Sequence, residues 1–298
     1  MRIAVFGGNG FLGYHLVSEL LRRSYKVTVA DIQEKDAFQG QVQYVRCDIL
    51  SMDAVKNVFA TNKFDVVYNL AGFSNLEEAL EEPIRTMQLN VIGNLHIIES
   101  CIEYKVPKYV YASSAYAVSN KGSFYGISKL TSEKLIEEYH KKHGLNFTIL
   151  RYGSVYSEQN FNNNYIYQIV KSAIFHKRIE HKGDGLEVRE YIHAEDVAKL
   201  SVDILNSPEF DNTHVMLTGN ERLDRKSLFN MIKEILDEPI DIVYENTGYS
   251  GHYRYTPYAF TPSVGKKLIA NPHIDMGQGI LECIRAIYNE QQESEQNT

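Results

Sequence analysis

Tyr125 and Lys129 stand four residues apart in Tyr125-Gly126-Ile127-Ser128-Lys129, a spacing that puts both side chains on one face of a helix. A phenol titrates near ~10 and is a poor base at neutral pH. A neighbouring ammonium favours the phenolate and lowers that value. Such a pair can take a proton from an alcohol while a hydride leaves the same carbon. Alone the pattern is common, and in a chain with 21 tyrosines chance matches arise, the plain alternative being an exposed helix face.

A second group of residues suits phosphate. Gly7-Gly8-Asn9-Gly10-Phe11-Leu12-Gly13 carries G-x-x-G-x-x-G at 7, 10 and 13, directly after the apolar run Ile3–Phe6. Glycines there let the backbone turn tightly and approach a pyrophosphate at the positive end of the next helix. Asp31 follows the second apolar run, where a carboxylate accepts hydrogen bonds from a ribose and repels a 2′-phosphate. NAD is therefore expected over NADP. A structural glycine turn with a solvated Asp31 is the weaker alternative.

These residues need elements to hold them. Short β-branched or aromatic runs recur at Ile3–Phe6, Val27–Ala30, Val42–Val45, Val66–Leu70, Tyr109–Ala112 and Phe147–Leu150. They are nearly continuous, as strands buried on both faces are. Between them Leu12, Leu16 and Leu20 share a helix face, as do Val91, Leu95, Ile98 and Ile102, and Leu135 with Tyr139. Alternating strands and helices predict an α/β fold with a doubly wound parallel sheet. The second half is less regular. It offers an Asn- and Tyr-rich loop around Tyr156–Tyr165, a strand at Val215–Leu217 and a helix from Ser227 to about Leu236.

Composition excludes several classes. Lys and Arg number 31 against 38 Asp and Glu, and the net charge of −7 argues against a broad nucleic-acid footprint. Three cysteines, at 47, 101 and 283, are too few and scattered for a disulfide framework or a zinc site. No apolar run approaches the roughly 20 residues that span a bilayer. Met1–Phe6 does not read as the start of a secretory signal, so a soluble, cytoplasmic setting is expected.

In combination and in this order, the glycine loop, Asp31, Asp48-Ile49, Asn69-Leu70-Ala71-Gly72 and Y-x-x-x-K resemble the extended short-chain dehydrogenase/reductases. More narrowly, the chain looks like the NAD-dependent nucleotide-sugar epimerase/dehydratase group. Supporting segments are Leu89-Asn90-Val91-Ile92-Gly93-Asn94, Leu150-Arg151-Tyr152-Gly153-Ser154-Val155-Tyr156, Gly183-Asp184-Gly185 and the run from Arg189 to Ala198. The resemblance implies a Rossmann-type sheet over 1–153, completed by about 190–218. A smaller C-terminal substrate-binding lobe would comprise 154–189 and 219–290, with a flexible tail over 291–298.

It also implies roles. Gly7, Gly10, Phe11, Leu12 and Gly13 would hold the pyrophosphate, and Asp31 and Ile32 the ribose. Asp48 and Ile49 would flank the adenine, while Leu70, Ala71, Gly72, Asn90 and Tyr152 would complete the cofactor site. Tyr125 would be the acid/base, and Lys129 would bind the nicotinamide ribose and tune Tyr125. Arg189 would contact the nucleotide diphosphate, chemistry that suits a guanidinium fork; its plain alternative is a surface residue beside Glu187 and Glu190. His193 would serve a structural hydrogen bond.

The chain departs from the family on the substrate side. The family's Ser or Thr after the strand ending Tyr111-Ala112-Ser113-Ser114 is here Ala115, which removes one stabiliser of the reacting sugar oxygen. Ser114, Ser123 or a water are the candidate replacements, and Ser113 and Ser114 equally suit strand-end packing. Tyr116 and Ala117 stand where the family's 4,6-dehydratases carry Asp-Glu, and the Glu of its decarboxylases is absent too. The loop from Ala115 to Tyr125 is short, and Ser154 replaces a substrate-contacting Asn.

The expected activity is NAD-dependent C4 epimerisation of a nucleoside-diphosphate sugar through a transient 4-keto sugar. Ser114, Tyr125, Ser154 and Arg189 would bind substrate, and no metal is needed. The enzymatic alternative is an NAD(P)H-dependent nucleotide-4-keto-sugar reductase. A further alternative is a non-catalytic dinucleotide-binding sensor or scaffold. The resemblance also implies a homodimer, paired through helices around Val91–Tyr104 and Tyr125–His143.

Overall fold

Runs of apolar residues with no polar face can only be satisfied by a sheet covered on both sides, and they form one. The computed structural model describes residues 1–298 apart from 36, 61, 120, 163, 246–251, 255–265, 269–271 and 297–298. In chain order it begins β1 (Arg2–Phe6), α1 (Phe11–Arg22), β2 (Lys26–Asp31), β3 (Gln43–Arg46), α2 (Met52–Ala60) and β4 (Val66–Asn69). Then come α3 (Leu76–Glu81), α4 (Pro83–Met87), a π-helical turn over Gln88–Ile92, and α5 (Gly93–Glu103). They are followed by β5 (Lys108–Ser114), a 3₁₀ turn over Ala115–Val118, α6 (Ser123–His143) and β6 (Phe147–Tyr152).

The second half contains β7 (Ser154–Tyr156), α7 (Tyr165–His176), β8 (Arg178–Lys182), β9 (Val188–His193) and α8 (Ala194–Asp203). It continues with β10 (Thr213–Leu217), β11 (Arg222–Asp224), α9 (Arg225–Leu236), β12 (Asp241–Glu245), β13 (Lys266–Leu268) and α10 (Met276–Gln296). No described helix is long and apolar enough to cross a membrane.

The chain divides into two compact units. The first holds Met1–Tyr152, Ala198–Leu217 and Pro257–Leu268. Its sheet has eight strands in the order β13-β10-β6-β5-β4-β1-β2-β3, every neighbouring pair parallel. The order reverses between β1 and β4. In doubly wound sheets, ligands sit beyond the carboxyl ends of the strands at such a point. The glycine loop follows β1 and Gly72 follows β4, so the topology brings both to that place. Phe6, Val67, Ile97, Ile98, Tyr109 and Ile149 are among the buried residues of the core.

The second unit holds Gly153–Val197, Thr218–Thr256 and Ile269–Thr298. β9 pairs parallel with β7 and antiparallel with β11, and β8 pairs with β12. Its separate core includes Ile166, Tyr167, Phe229, Ile232, Ile280 and Ile287.

Three boundaries differ from expectation. The returning segment is Ala198–Leu217 rather than 190–218, because β9 is claimed by β7 and β11 in the second unit. β13 adds an edge strand to the first sheet from a segment without a strand signal. The polar tail is helical through 291–296. α10 runs to Gln296, since Ile280, Cys283, Ile284 and Ile287 anchor it and no Gly or Pro follows to stop it. Asn297 and Thr298 lie outside the described residues.

Candidate active site

The glycine loop is shaped by what a side chain would strike. Gly7 has φ +77°, and a Cβ on it would lie 2.6 Å from the Ala71 amide nitrogen. The loop after β1 thus lies against the loop after β4 with no room for a methyl. On Gly13 a Cβ would lie 2.1 Å from the Gly7 carbonyl oxygen, so the helix can enter this turn only as glycine. Gly10 caps α1 with no side-chain hydrogen bond, and the first turn contains no acid. Phe11 is buried and Leu12 half-buried, so what this turn offers an anion is backbone N–H and the helix dipole.

Asp31 closes β2 at the rim of that loop. Its Oδ2 accepts from the Asn9 amide at 3.0 Å and its Oδ1 from the Gln33 amide at 2.9 Å. Ile32 beside it is 58% exposed. Asp48 is exposed, with Oδ1 accepting from the Leu50 amide, and Ile49 is buried against Gly93. Leu70 and Ala71 are half-buried and Gly72, at φ +148°, is exposed. This cradle fits a dinucleotide: two loops that meet backbone to backbone at Gly7, a helix start without a side-chain cap, and a carboxylate at the next strand end.

Two residues that the resemblance assigns to the cofactor site also make hydrogen bonds within the protein. Asn90, in the π-helical turn, accepts from the Phe73 amide at 2.6 Å and donates to the Phe73 carbonyl at 3.0 Å and to Ser128 Oγ at 2.8 Å. Both its donors are used, so it fastens the Gly72-Phe73 loop to α6. Tyr152 is buried in β6 with its hydroxyl 3.2 Å from Ser201 Oγ, a packing role for its side chain.

Tyr125 and Lys129 do share a face of α6. Lys129 is 6% exposed and its Nζ donates to the Ala112 carbonyl at 2.8 Å. The ammonium stands 5.0 Å from the Tyr111 ring centre and 5.9 Å from that of Tyr125. Burial pulls Lys129 down from its ordinary 10.5 to about 8, against the opposing pull of Glu133. Tyr125 is half-buried, and the Tyr116 ring meets it edge-on at 6.1 Å.

Ser114 ends β5 and caps the following 3₁₀ turn, its Oγ accepting from the Tyr116 amide at 3.3 Å. That bond consumes a lone pair and leaves the hydroxyl proton to donate. Ser113 is committed to Glu133, at 2.5 Å. Ser123 is the first residue of α6, at φ +46°.

In the second unit, Ser154 lies in β7 opposite Tyr191. Arg189 is 2% exposed, which excludes the surface alternative. Its Nη1 donates to the Tyr253 carbonyl at 2.7 Å and the Val188 carbonyl at 3.0 Å, and its guanidinium stacks 4.2 Å from the Tyr253 ring centre. His193 is buried in β9. Its Nδ1 accepts from the Glu195 amide at 3.4 Å, and its Nε2 faces Glu158 at 3.4 Å and Glu282 at 3.7 Å. Sequence reasoning missed Tyr111, Tyr253 and Glu133; the last was signalled by falling four residues after Lys129.

A family model described as the NAD dependent epimerase/dehydratase family matches residues 3–219. The chain belongs to that family. A putative UDP-glucose 4-epimerase of Methanocaldococcus jannaschii is 27% identical, over 96% of this chain and 98% of its own. A dTDP-glucose 4,6-dehydratase of Streptomyces antibioticus is 24% identical, over 95% and 91%. The UDP-glucuronic acid 4-epimerase of Bacillus cereus, solved with UDP-glucuronic acid and NAD, shares the fold. It superposes with a TM-score of 0.84 at 21% identity, over 97% of this chain and 99% of its own. The family's members thus span epimerisation and dehydration, and the site must distinguish them.

Two outcomes follow from this geometry. Gly13→Ala forces its methyl into the Gly7 carbonyl and is expected to weaken NAD binding tenfold or more, about 1.4 kcal/mol, by titration calorimetry. Lys129 carries a pH signature. Between about 8 and 10.5 the unfolded chain binds a proton there that the folded chain has released, so Lys129's contribution to stability rises with pH across that window. Urea denaturation of the protein and of Lys129→Met should show a stability difference, wild type minus variant, that grows from pH 8 to pH 10. A constant difference would exclude the depressed lysine.

Proposed function

We propose that the protein is an NAD-dependent epimerase of a nucleoside-diphosphate sugar, inverting C4 through a transient 4-keto sugar. The observation that carries this is a buried ammonium, Lys129, on the same helix face as Tyr125. NAD, held by Gly7, Gly10, Gly13 and Asp31, supplies a hydride acceptor that returns what it takes. Lys129 stabilises the Tyr125 phenolate electrostatically. Tyr125 removes the C4 hydroxyl proton and holds it until the ketone, presented by its other face, is reduced. Ser114 keeps a hydroxyl proton for the sugar oxygen that Ala115 does not serve. Arg189 is assigned to the diphosphate, with Tyr253 stacking to hold its plane. Tyr116-Ala117 supplies no carboxylate for elimination, which favours epimerisation over dehydration.

A homodimer and a reducing, cytoplasmic setting belong to the same reading. The three cysteines are free and buried, as a reducing compartment allows. Phe124, Ile127 and Leu130, three apart on α6, leave apolar surface exposed together with Ile92, while Ile97, Ile98 and Ile136 face the core. That outward stripe is the surface a second copy would cover.

Incubation with UDP-glucose or UDP-N-acetylglucosamine should give the C4 epimer by NMR without net use of NADH. Tyr125→Phe should cut turnover by about a hundred- to ten-thousand-fold and leave NAD binding intact. Steady consumption of added NADH would favour the reductase, and unchanged turnover in the variant would reject Tyr125 as acid/base. Ile127→Glu with Leu130→Glu should move the sedimentation coefficient from dimer to monomer; a wild-type monomer would reject the interface.

A further inference from the structure

Below Lys129, one more step of four along α6, lies Glu133, whose side chain is fully buried. Its Oε1 accepts from Ser113 Oγ at 2.5 Å and from Arg151 Nε at 2.9 Å, and its Oε2 accepts from Arg151 Nη2 at 2.7 Å. Ser113 is the residue after Ala112, the carbonyl that receives the Lys129 ammonium. Neighbouring side chains of α6 therefore grip neighbouring residues of β5, and the second grip extends to β6 through Arg151. We propose that Glu133 is a positioning residue for the Tyr125–Lys129 pair: clamped between Ser113 and Arg151, its carboxylate fixes where α6 lies on the sheet and faces the lysine with negative charge.

The surroundings permit this. A buried ion pair adds little stability over well-packed apolar residues, so stability alone is a weak account of it. Lys129 faces the Tyr111 and Tyr125 rings, neither of them a carboxylate, and Glu133 is the charged group that acts on it. Around Glu133 itself stand Arg151 from β6 and His214 from β10, with His214 Nε2 at 3.7 Å. His214 also meets Glu137 at 3.2 Å and feels Lys134, and burial above all pulls its titration down, so it does not compete as a cation. Arg151 shares the Glu133 charge but is fixed by both of its carboxylate oxygens.

The inference rests on the proposed role of the pair, so its test reads the lysine directly. Protein labelled with [ε-13C]lysine gives a Lys129 signal identified by its loss in Lys129→Met. In the full chain its titration midpoint is expected at about 8. In Glu133→Gln, which keeps one acceptor oxygen, turns the other into an amide donor and loses the charge, the midpoint should fall by about one pH unit, a tenfold loss of proton affinity. Glu133→Asp, which keeps the charge, should recover most of it. If Glu133→Gln does not fold with Arg151 left unpaired, Glu133→Gln with Arg151→Met removes both charges and should still lower the midpoint, by less because a cation goes with the carboxylate. An unmoved midpoint in whichever of these folds overturns the proposal. With a nucleotide sugar turned over, the alkaline limb of kcat should shift down in parallel. With none turned over, the lysine signal still decides for Glu133 while the epimerase reading fails.

Discussion

An ammonium taken out of water must be met by polar atoms and negative charge, or it gives up its proton. Lys129 is in that position, and much of the first unit is arranged around it. The Ala112 carbonyl at the end of β5 receives it, the Tyr111 ring lies beside it, and Glu133 lies one turn further along the same helix. Because α6 is 21 residues long and bound to β5 and β6, Lys129 has little freedom to leave. Tyr125, on the same face, inherits that fixed position.

The second constraint is steric and lies at the sheet's switch point. Gly7 and Gly13 admit no Cβ, one because of the Ala71 backbone and the other because of Gly7 itself. The loops after β1 and β4 are therefore nested, and Asn90 ties the second of them to α6 through Phe73 and Ser128. Through that one asparagine, the dinucleotide cradle and the helix bearing Tyr125 and Lys129 are parts of a single hydrogen-bonded assembly. The π-helical turn around Asn90 suits the role, since such turns re-aim a side chain out of the regular helical register.

The sequence was most legible where one physical demand dominated. Strands buried on both faces must be apolar throughout, so β1, β2, β4, β5 and β6 stood out within a residue or two. Phosphate-binding turns demand glycine, so Gly7, Gly10 and Gly13 stood out too. Motif position does not reveal what a side chain touches: the hydrogen-bond partners of Asn90 and Tyr152, namely Phe73, Ser128 and Ser201, lie far away in sequence. The second unit was poorly legible for a related reason. β8 reads Arg-Ile-Glu-His-Lys, with one apolar residue to mark its buried face, and β7 and β11 have three residues each, too short for periodicity to register. α10 hid behind a polar tail whose residues are acceptable in a helix once its apolar beginning is anchored.

The departures on the substrate side bear on the kind of chemistry the site can perform. Elimination of water leaves a product short of a proton and a hydroxyl, so it needs an acid and a base beyond the group that starts the oxidation. Here the segment after β5 is a tight 3₁₀ turn in which Ala115 and Ala117 are buried and Tyr116 turns its ring toward Tyr125. It brings aromatic surface, not carboxylates, to Tyr125. A C4 epimerisation is balanced in protons and electrons over each turnover, so one acid/base and one returning hydride suffice. In the proposed epimerisation, Ala115 offers the sugar oxygen no hydroxyl where the family has one. Ser114 keeps a hydroxyl proton beside that position, and the Lys129 ammonium stands 5.9 Å from the Tyr125 ring centre. A site reduced to this minimum suits a reaction that gives back everything it removes.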